Sequence, residues 1–307
     1  DTPNPDTRNQ ASVNSATHLF VMHLKPNWRI LTIGDGDLSF SASLWNHFKP
    51  AQLTATVFDS QQTLEDKYQH HAIEQLQTDP KQQILFGFDV TDPKSWPEAW
   101  SNLNKNNVEH QQFDLVIFQF PLVPAFEDPE YFHKMGDISI NTLNRLLLRK
   151  FLIHCSEYFL DPNGQQLCYI TSKDVKPYSE WNIENSLNQG LEQIEYLGAM
   201  PFNIEDFPGY KIRNVDRDKH VKDTQGITYV WRPKTGTLPH NRTSEYEFIE
   251  GLIAKSHQGE EYCEFCKAGP FVSASDKLLH EQTRKHRLMQ QYEDQYANVI
   301  KKSTIKA

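Results

Sequence analysis

The stretch that decides the fold is Arg29-Ile30-Leu31-Thr32-Ile33-Gly34-Asp35-Gly36-Asp37-Leu38-Ser39-Phe40-Ser41. A short apolar run enters a turn with two glycines. Phe40, Leu44 and Phe48 then recur every four residues, the spacing of one helix face. Strand, Gly-x-Gly turn and helix in that order open a βαβ unit. The alternation continues outward. Leu53–Phe58, Gln83–Phe88, Phe113–Phe118 and Gln166–Thr171 read as strands. Gln61–Leu76, Ser95–Leu103 and Glu180–Gln189 read as helices, and Glu192–Phe202 with Gly226–Trp231 as a late strand pair. Ile138–Leu160 is predicted as the longest helix, closed by Asp161-Pro162-Asn163-Gly164. The pattern predicts an α/β fold: a doubly wound, mostly parallel sheet with helices on both faces.

The 307 residues carry 31 Lys and Arg against 40 Asp and Glu, a net charge of −9. That balance argues against a protein that coats nucleic acid by bulk charge, while leaving room for a local basic patch. Hydrophobic residues at 38% supply a sizeable core. No apolar run approaches the roughly 18–20 residues needed to span a bilayer, so a membrane partner is not expected. Four cysteines do not make a disulfide scaffold, and Cys155 and Cys168 read as small hydrophobes inside apolar stretches. Asp1 to Thr17 is polar and lacks a signal-peptide pattern. The expected compartment is the cytoplasm, or the nucleus or nucleolus for a eukaryotic source.

In a doubly wound sheet, ligands sit beyond the carboxyl ends of the strands. Gly34, Asp35, Gly36, Asp37, Asp59, Asp89 and Gln119 fall there and are the candidate cofactor-binding residues. A third glycine is missing, because Ser39 stands where G-x-G-x-x-G would place it. Asp35 and Asp37 would repel a pyrophosphate, which disfavours a nicotinamide oxidoreductase. A cationic cofactor without phosphate, such as S-adenosylmethionine, tolerates them. Asp59 can accept the ribose hydroxyls and Asp89 lies where adenine's amine would be. Taken singly, each reads better as a cap of the segment that follows it, and it is the strand ends in register that favour a cofactor.

The segment Ile30–Ser41 resembles the Gly-Glu-Gly-Asp-Phe-Ser-Phe signature of the large-subunit rRNA (uridine-N3)-methyltransferase-like family. The resemblance continues through Thr56–Ser60, Leu85–Asp89, Phe113–Pro121, Asn144–Phe151, Lys173–Trp181 and Asp206–Tyr210. It implies a Rossmann-like methyltransferase that uses S-adenosylmethionine and modifies uridine N3 in rRNA. The family's Asn-Phe-Pro-His stretch is Gln119-Phe120-Pro121-Leu122 here, next to where a target base should lie.

Uridine N3 is a poor nucleophile until its imide proton leaves, so positioning and stabilisation of charge on O2 and O4 are needed. Lys173, after the fifth strand, is the candidate cation, or else a solvated loop lysine. Phe120 and Tyr178 are candidates to sandwich an extruded base, with Pro121 shaping the rim. Trp181 and Tyr210 read equally as further candidates of this kind or as packing residues of the loops that close over the crevice.

A second constellation follows. Cys263 and Cys266 form C-x2-C, with His280 and His286 downstream at Cys2His2 spacing for tetrahedral zinc. Leu278, Leu279 and Phe271 are the expected small core. Tyr262–Arg287 resembles the U1-type or matrin-type finger, which implies structured RNA or a protein partner. From Lys255 onward, nine Lys and Arg stand against seven Asp and Glu, and Arg284, Lys285 and Arg287 concentrate charge suited to phosphates.

The expected organisation is a flexible arm over 1–27, a Rossmann-like methyltransferase domain over 28–235 and a linker over 236–258. A zinc finger over 259–290 and a tail over 291–307 complete it. The expected function is S-adenosylmethionine-dependent methylation of RNA, with the finger docking structured RNA. The alternative is a non-catalytic RNA- or protein-binding adaptor that retains the fold.

Overall fold

The structure, a computed structural model, describes residues 22–101, 112–123, 137–214, 217–220, 225–234 and 243–305. Parts of the expected arm, linker and third helix lie outside these residues. Seven strands form one sheet in the order β3-β2-β1-β4-β5-β9-β6. They are β1 (Arg29–Ile33), β2 (Gln52–Thr56), β3 (Gln82–Leu85), β4 (Leu115–Gln119), β5 (Leu167–Ser172), β6 (Ile194–Phe202) and β9 (Gly226–Pro233). The first five are parallel, and the late pair β6 and β9 joins antiparallel. A short hairpin, β7 (Arg213–Asn214) and β8 (Arg217–His220), stands apart. The doubly wound, mostly parallel sheet expected from the sequence is therefore present, with its order reversing between β1 and β4.

Why these strands sit centrally is plain from their burial. Leu115 to Gln119 and Leu167 to Ser172 are buried throughout, as strands covered on both faces must be. The helices are α1 (Ser39–Phe48), α2 (Gln61–Lys67), α3 (Glu98–Ser101), α4 (Ile140–His154), α5 (Ile183–Ser186), α6 (Thr243–Glu250), α7 (Ala274–Glu281) and α8 (Arg284–Ile305). Several are shorter than their periodicity suggests. Gln61–Leu76 is broken after Lys67 and resumes only as a 3-10 turn at Glu74–Leu76. Glu180–Gln189 reduces to α5 after a 3-10 turn, Tyr178–Trp181.

The expected longest helix also differs. α4 starts at Ile140, where the Ser139 hydroxyl caps Thr142 N, and passes into a π turn over Cys155–Phe159. The longest described helix is α8, 22 residues, and it runs unbroken through the expected boundary between finger and tail at residue 290. Its polar composition hides an apolar stripe: Met289, Tyr296 and Ile300 are buried, with Tyr292 packed beside Met289. That stripe lies partly against α4, where the Arg145 guanidinium sits 4.2 Å from the centre of the Tyr296 ring.

Segments expected to be loose are docked where the structure describes them. Met22 is buried, and the His23 ring stacks at 4.0 Å on Phe248 of α6. The Tyr169 hydroxyl donates to His23 O. Beyond α6 the chain returns to the sheet edge, where Ala199 and Ile253 exchange backbone hydrogen bonds of 2.9 and 2.7 Å. A β-carbon at Gly198 would lie 2.7 Å from that of Leu252, so the close approach requires glycine.

Candidate active site and metal centre

A pocket of about 570 Å³ opens where the strand order reverses, at the carboxyl ends of β1 to β4. Gly34, Asp35, Gly36, Asp37, Asp59, Asp89, Gln119, Phe120 and Pro121 all line it. Lys173 and Tyr178 do not. β5 lies beyond β4, one strand further from the reversal. Lys173 is buried with its ammonium 5.8 Å from the Tyr178 ring, and that ring packs edge-on to Trp181. Tyr178 and Phe120 therefore do not face one another across this pocket.

The glycine turn is held from both sides. Gly34 has φ +61°, and a β-carbon there would stand 3.2 Å from the Phe118 ring, so a side chain is disfavoured twice. Gly34 N and Asp35 N reach across to Thr56, at 3.3 and 3.0 Å. Both turn carboxylates serve the start of α1: Asp35 Oδ2 accepts from Ser41 N at 2.7 Å and Asp37 Oδ1 from Ser39 N at 2.9 Å. Burial first, and then Asp37, push the Asp35 carboxyl up to about 7, against hydrogen bonds from Ser41 and Phe40. Asp37 Oδ2 accepts from Arg213 Nε at 2.8 Å in a buried pair. The turn is thus less anionic than its sequence suggests. Arg213, on the hairpin, is a contributor that no local motif announces.

At the neighbouring strand ends, Asp59 Oδ2 accepts from Lys67 Nζ at 3.0 Å. Ser60 takes the cap of α2, bonding Thr63 N. Asp89 is committed locally: its Oδ1 accepts from both Thr91 N (2.8 Å) and Thr91 Oγ1 (2.7 Å). Its carboxylate closes a small turn while lining the pocket.

Gln119 differs from these. It is 9% exposed, and neither carboxamide atom has a well-formed hydrogen bond. A buried amide left in that condition is costly and marks a place where a ligand's polar atoms fit. The next residue, Phe120, has φ +47°, a conformation disfavoured outside glycine. Its N–H bonds Thr171 O, and its ring lies edge-on to Phe202 at 5.5 Å. Val123 N donates to Asn144 Oδ1 at 2.9 Å, which ties the segment after β4 to α4. Tyr210 lines the same pocket. Burial, then Asp35 and Asp37, push its phenol well above the ordinary tyrosine range, and nearby Gln119 eases this slightly.

The second site is the cysteine–histidine cluster. The ligand atoms of Cys263, Cys266, His280 and His286 all lie within 4.8 Å of one another. Cys263 Sγ and Cys266 Sγ stand 3.5 and 3.7 Å from His286 Nδ1, which is 3.2 Å from His280 Nε2. A tetrahedron with Zn–S of about 2.3 Å and Zn–N of about 2.05 Å requires S···N of about 3.6 Å and N···N of about 3.3 Å. The donor set fits zinc. Burial and the neighbouring Cys263 push the Cys266 thiol up to about 12, which a bound cation would reverse.

The expected finger core is only partly right. Leu278 and Leu279 are 58% and 63% exposed, because α7 presents His280 to the cluster and turns both leucines outward. Phe271 does pack on the cluster, together with Phe265, Ala268, Met289 and Tyr292. Arg284, Lys285 and Arg287 are exposed at the start of α8.

A family model described as BMT5-like, rRNA (uridine-N3-)-methyltransferase, matches residues 31–214. Among curated proteins, heavy metal-associated isoprenylated plant protein 41 of Arabidopsis thaliana is 29% identical over 201 residues, 64% of this chain and 35% of its own length. The ferredoxin-fold anticodon-binding domain-containing protein 1 homolog of Mus musculus is 25% identical over 280 residues, 82% of this chain and 40% of its own. The chain thus spans well under half the length of either relative. Among solved structures, human methyltransferase-like protein 13 in complex with SAH aligns with TM-score 0.38 and 11% identity, covering 73% of this chain and 80% of that one. A methyltransferase from Pyrococcus furiosus aligns with TM-score 0.37 and 12% identity over 68% and 77%.

Proposed function

Because the chain belongs to the BMT5-like rRNA (uridine-N3-)-methyltransferase family, we propose that it methylates a uridine N3 of ribosomal RNA with S-adenosylmethionine as donor. The observation that carries this reading is the pocket at the β1/β4 reversal, with its glycine turn, acidic strand ends and unsatisfied Gln119. The donor, when bound, supplies an activated methyl group on a sulfonium.

The chain's own residues divide the work. Gly34 and Gly36 let backbone approach the ligand closely. Asp35 offers a carboxylate to an ammonium group, and Asp59 to a ribose diol. Asp89 and Gln119 border the remaining polar surface. Phe120 and Pro121 form the wall beside the acceptor base. Cys263, Cys266, His280 and His286 would hold one zinc ion. The exposed Arg284, Lys285 and Arg287 then meet RNA phosphates.

Transfer of a tritiated methyl group to total RNA, followed by nucleoside mass spectrometry, tests the reading. Labelled 3-methyluridine is the expected product. No transfer by a protein that binds S-adenosylhomocysteine would favour the adaptor.

A further inference from the structure

One polar corner of the pocket gathers Gln119, Tyr210, Asp35 and Asp37. The reaction proposed above needs hydrogen-bond donors near the acceptor's carbonyl oxygens, and Lys173 lies off the pocket wall. The cations on the wall are otherwise engaged or peripheral. Arg149 donates to the carbonyls of Leu187 and Gln189, and Arg213 pairs with Asp37. Lys150 and Lys211 are exposed at the rim. Of the neutral donors on the wall, Thr91 Oγ1 donates to Asp89 and Ser303 Oγ to Val299 O, whereas Gln119 and Tyr210 put an amide N–H and a phenol O–H in one corner.

We propose that Gln119 and Tyr210 together donate to a carbonyl oxygen of the acceptor base, stabilising the charge that appears there as the adjacent ring nitrogen loses its proton. This assignment rests on the RNA methyltransferase reading. The substrate class is a base whose reacting ring nitrogen carries a proton and neighbours a carbonyl, as uracil N3 does. The imide proton passes to water. The N3 lone pair forms the new N–C bond while the C–S bond breaks, its electron pair staying on sulfur.

Two features suit the pair to this task. Gln119 has no well-formed hydrogen bond to give up, with only the Tyr210 phenol close to it, so contact with the base satisfies an otherwise poorly served buried amide. Tyr210 remains a protonated donor, because its acidic neighbours and burial oppose phenolate formation. Charge that develops beside fixed donors in a buried site is stabilised more than in water.

The test uses the full chain with Tyr210→Phe and Gln119→Leu, two changes that preserve shape, and thermal melts to confirm folding. Methyl transfer to total RNA is followed from pH 6 to pH 10, with S-adenosylhomocysteine affinity measured by calorimetry. Each variant should lower kcat about a hundredfold near neutrality. The rise of rate with pH should also move to higher pH, because the acceptor anion is no longer favoured. Tyr210→Phe should leave cofactor affinity within about twofold of wild type. An unmoved pH profile in either variant, or an equal loss of cofactor affinity in Tyr210→Phe, overturns the assignment while leaving methyl transfer intact. A methylated base without a carbonyl beside the modified nitrogen also overturns it. Absence of transfer by the wild-type protein would instead bring down the reading on which it rests.

Discussion

Arg145 Nη2 donates to Glu293 Oε2 at 2.9 Å, with the arginine side chain at 0% exposure. This contact joins α4, which lies against the sheet, to α8, which carries His286. Asn182 Nδ2 also reaches Glu293 Oε1, at 3.4 Å. Gln295 Oε1 accepts from Ser139 N, Ser139 Oγ and Thr142 Oγ1. The segment expected to be a tail is a built part of the larger domain.

Removing one partner of a buried ion pair leaves the other charge uncompensated. Glu293→Ala should therefore destabilise the chain by roughly 3 kcal/mol. In thermal denaturation that appears as a fall in Tm of about 5–10 °C. Glu293→Gln keeps an acceptor and should lose less. A melt unchanged by either substitution would show that α8 is not held here.

Metal should have a bounded effect. One zinc per chain is expected by elemental analysis, and Cys266→Ser should abolish it. Residues 259–290 should then lose amide protection, since so small a unit folds with its metal. Protection around Tyr296 should persist, because Glu293, Gln295 and Tyr296 are anchored to α4. RNA affinity should fall, and the slope of log affinity against log salt should shrink by about 0.7 to 0.9 for each lost phosphate contact among Arg284, Lys285 and Arg287. Metal-free wild-type protein would defeat the zinc assignment.

Asp35 links stability to pH with a defined sign. Its carboxyl rises from 3.8 to about 7 on folding. Between those values the folded chain holds a proton that the unfolded chain has released. Stability should fall as pH rises from 4 to 7, then level off. Asp35→Asn should raise Tm at pH 8 and change it little near pH 4. The gain should be a few kcal/mol, at about 1.4 kcal/mol per unit of pKa difference. The same variant should bind S-adenosylhomocysteine more weakly, and wild-type binding should tighten from pH 6 to 8. Parallel melts and calorimetry across that range decide it.

Asp59→Ala should weaken S-adenosylhomocysteine binding by roughly 1.5–3 kcal/mol, the usual worth of a charged hydrogen bond. Stability should change less, since the Asp59–Lys67 pair is partly exposed. Unchanged affinity would mean that the carboxylate serves Lys67 alone.

Much of the pocket was legible because its residues close or immediately follow their strands: Gly34 to Asp37 after β1, and Gln119 to Pro121 at the end of β4. The cysteine–histidine cluster was legible from spacing alone. Lys173 and Tyr178 do not line the pocket, because following a strand puts a residue at the carboxyl edge without saying how far it lies from the reversal. Arg213 escaped for a related reason, whereas Tyr210 was legible as a residue of a loop over the crevice. Both come from the excursion between β6 and β9, and only the folded chain shows that it brings Arg213 back to the first glycine turn. The stripe Met289, Tyr292, Tyr296 and Ile300 was readable, but the expected boundary at 290 cut it, leaving most of it in a tail.

The pairing of Ala199 with Ile253 bears on how copies of this chain meet one another. β6 is an outer strand of the sheet, and an outer strand with vacant backbone groups invites a second molecule to extend it. Here both backbone groups of Ala199 are engaged by the chain's own returning segment, and the bulge between Tyr196 and Gly198 bends the strand at the same place. The opposite outer strand, β3, is only four residues long. Replacing Gly198 with a bulky residue would push Leu252 and Ile253 off that edge, so the first symptom of such a change would be self-association.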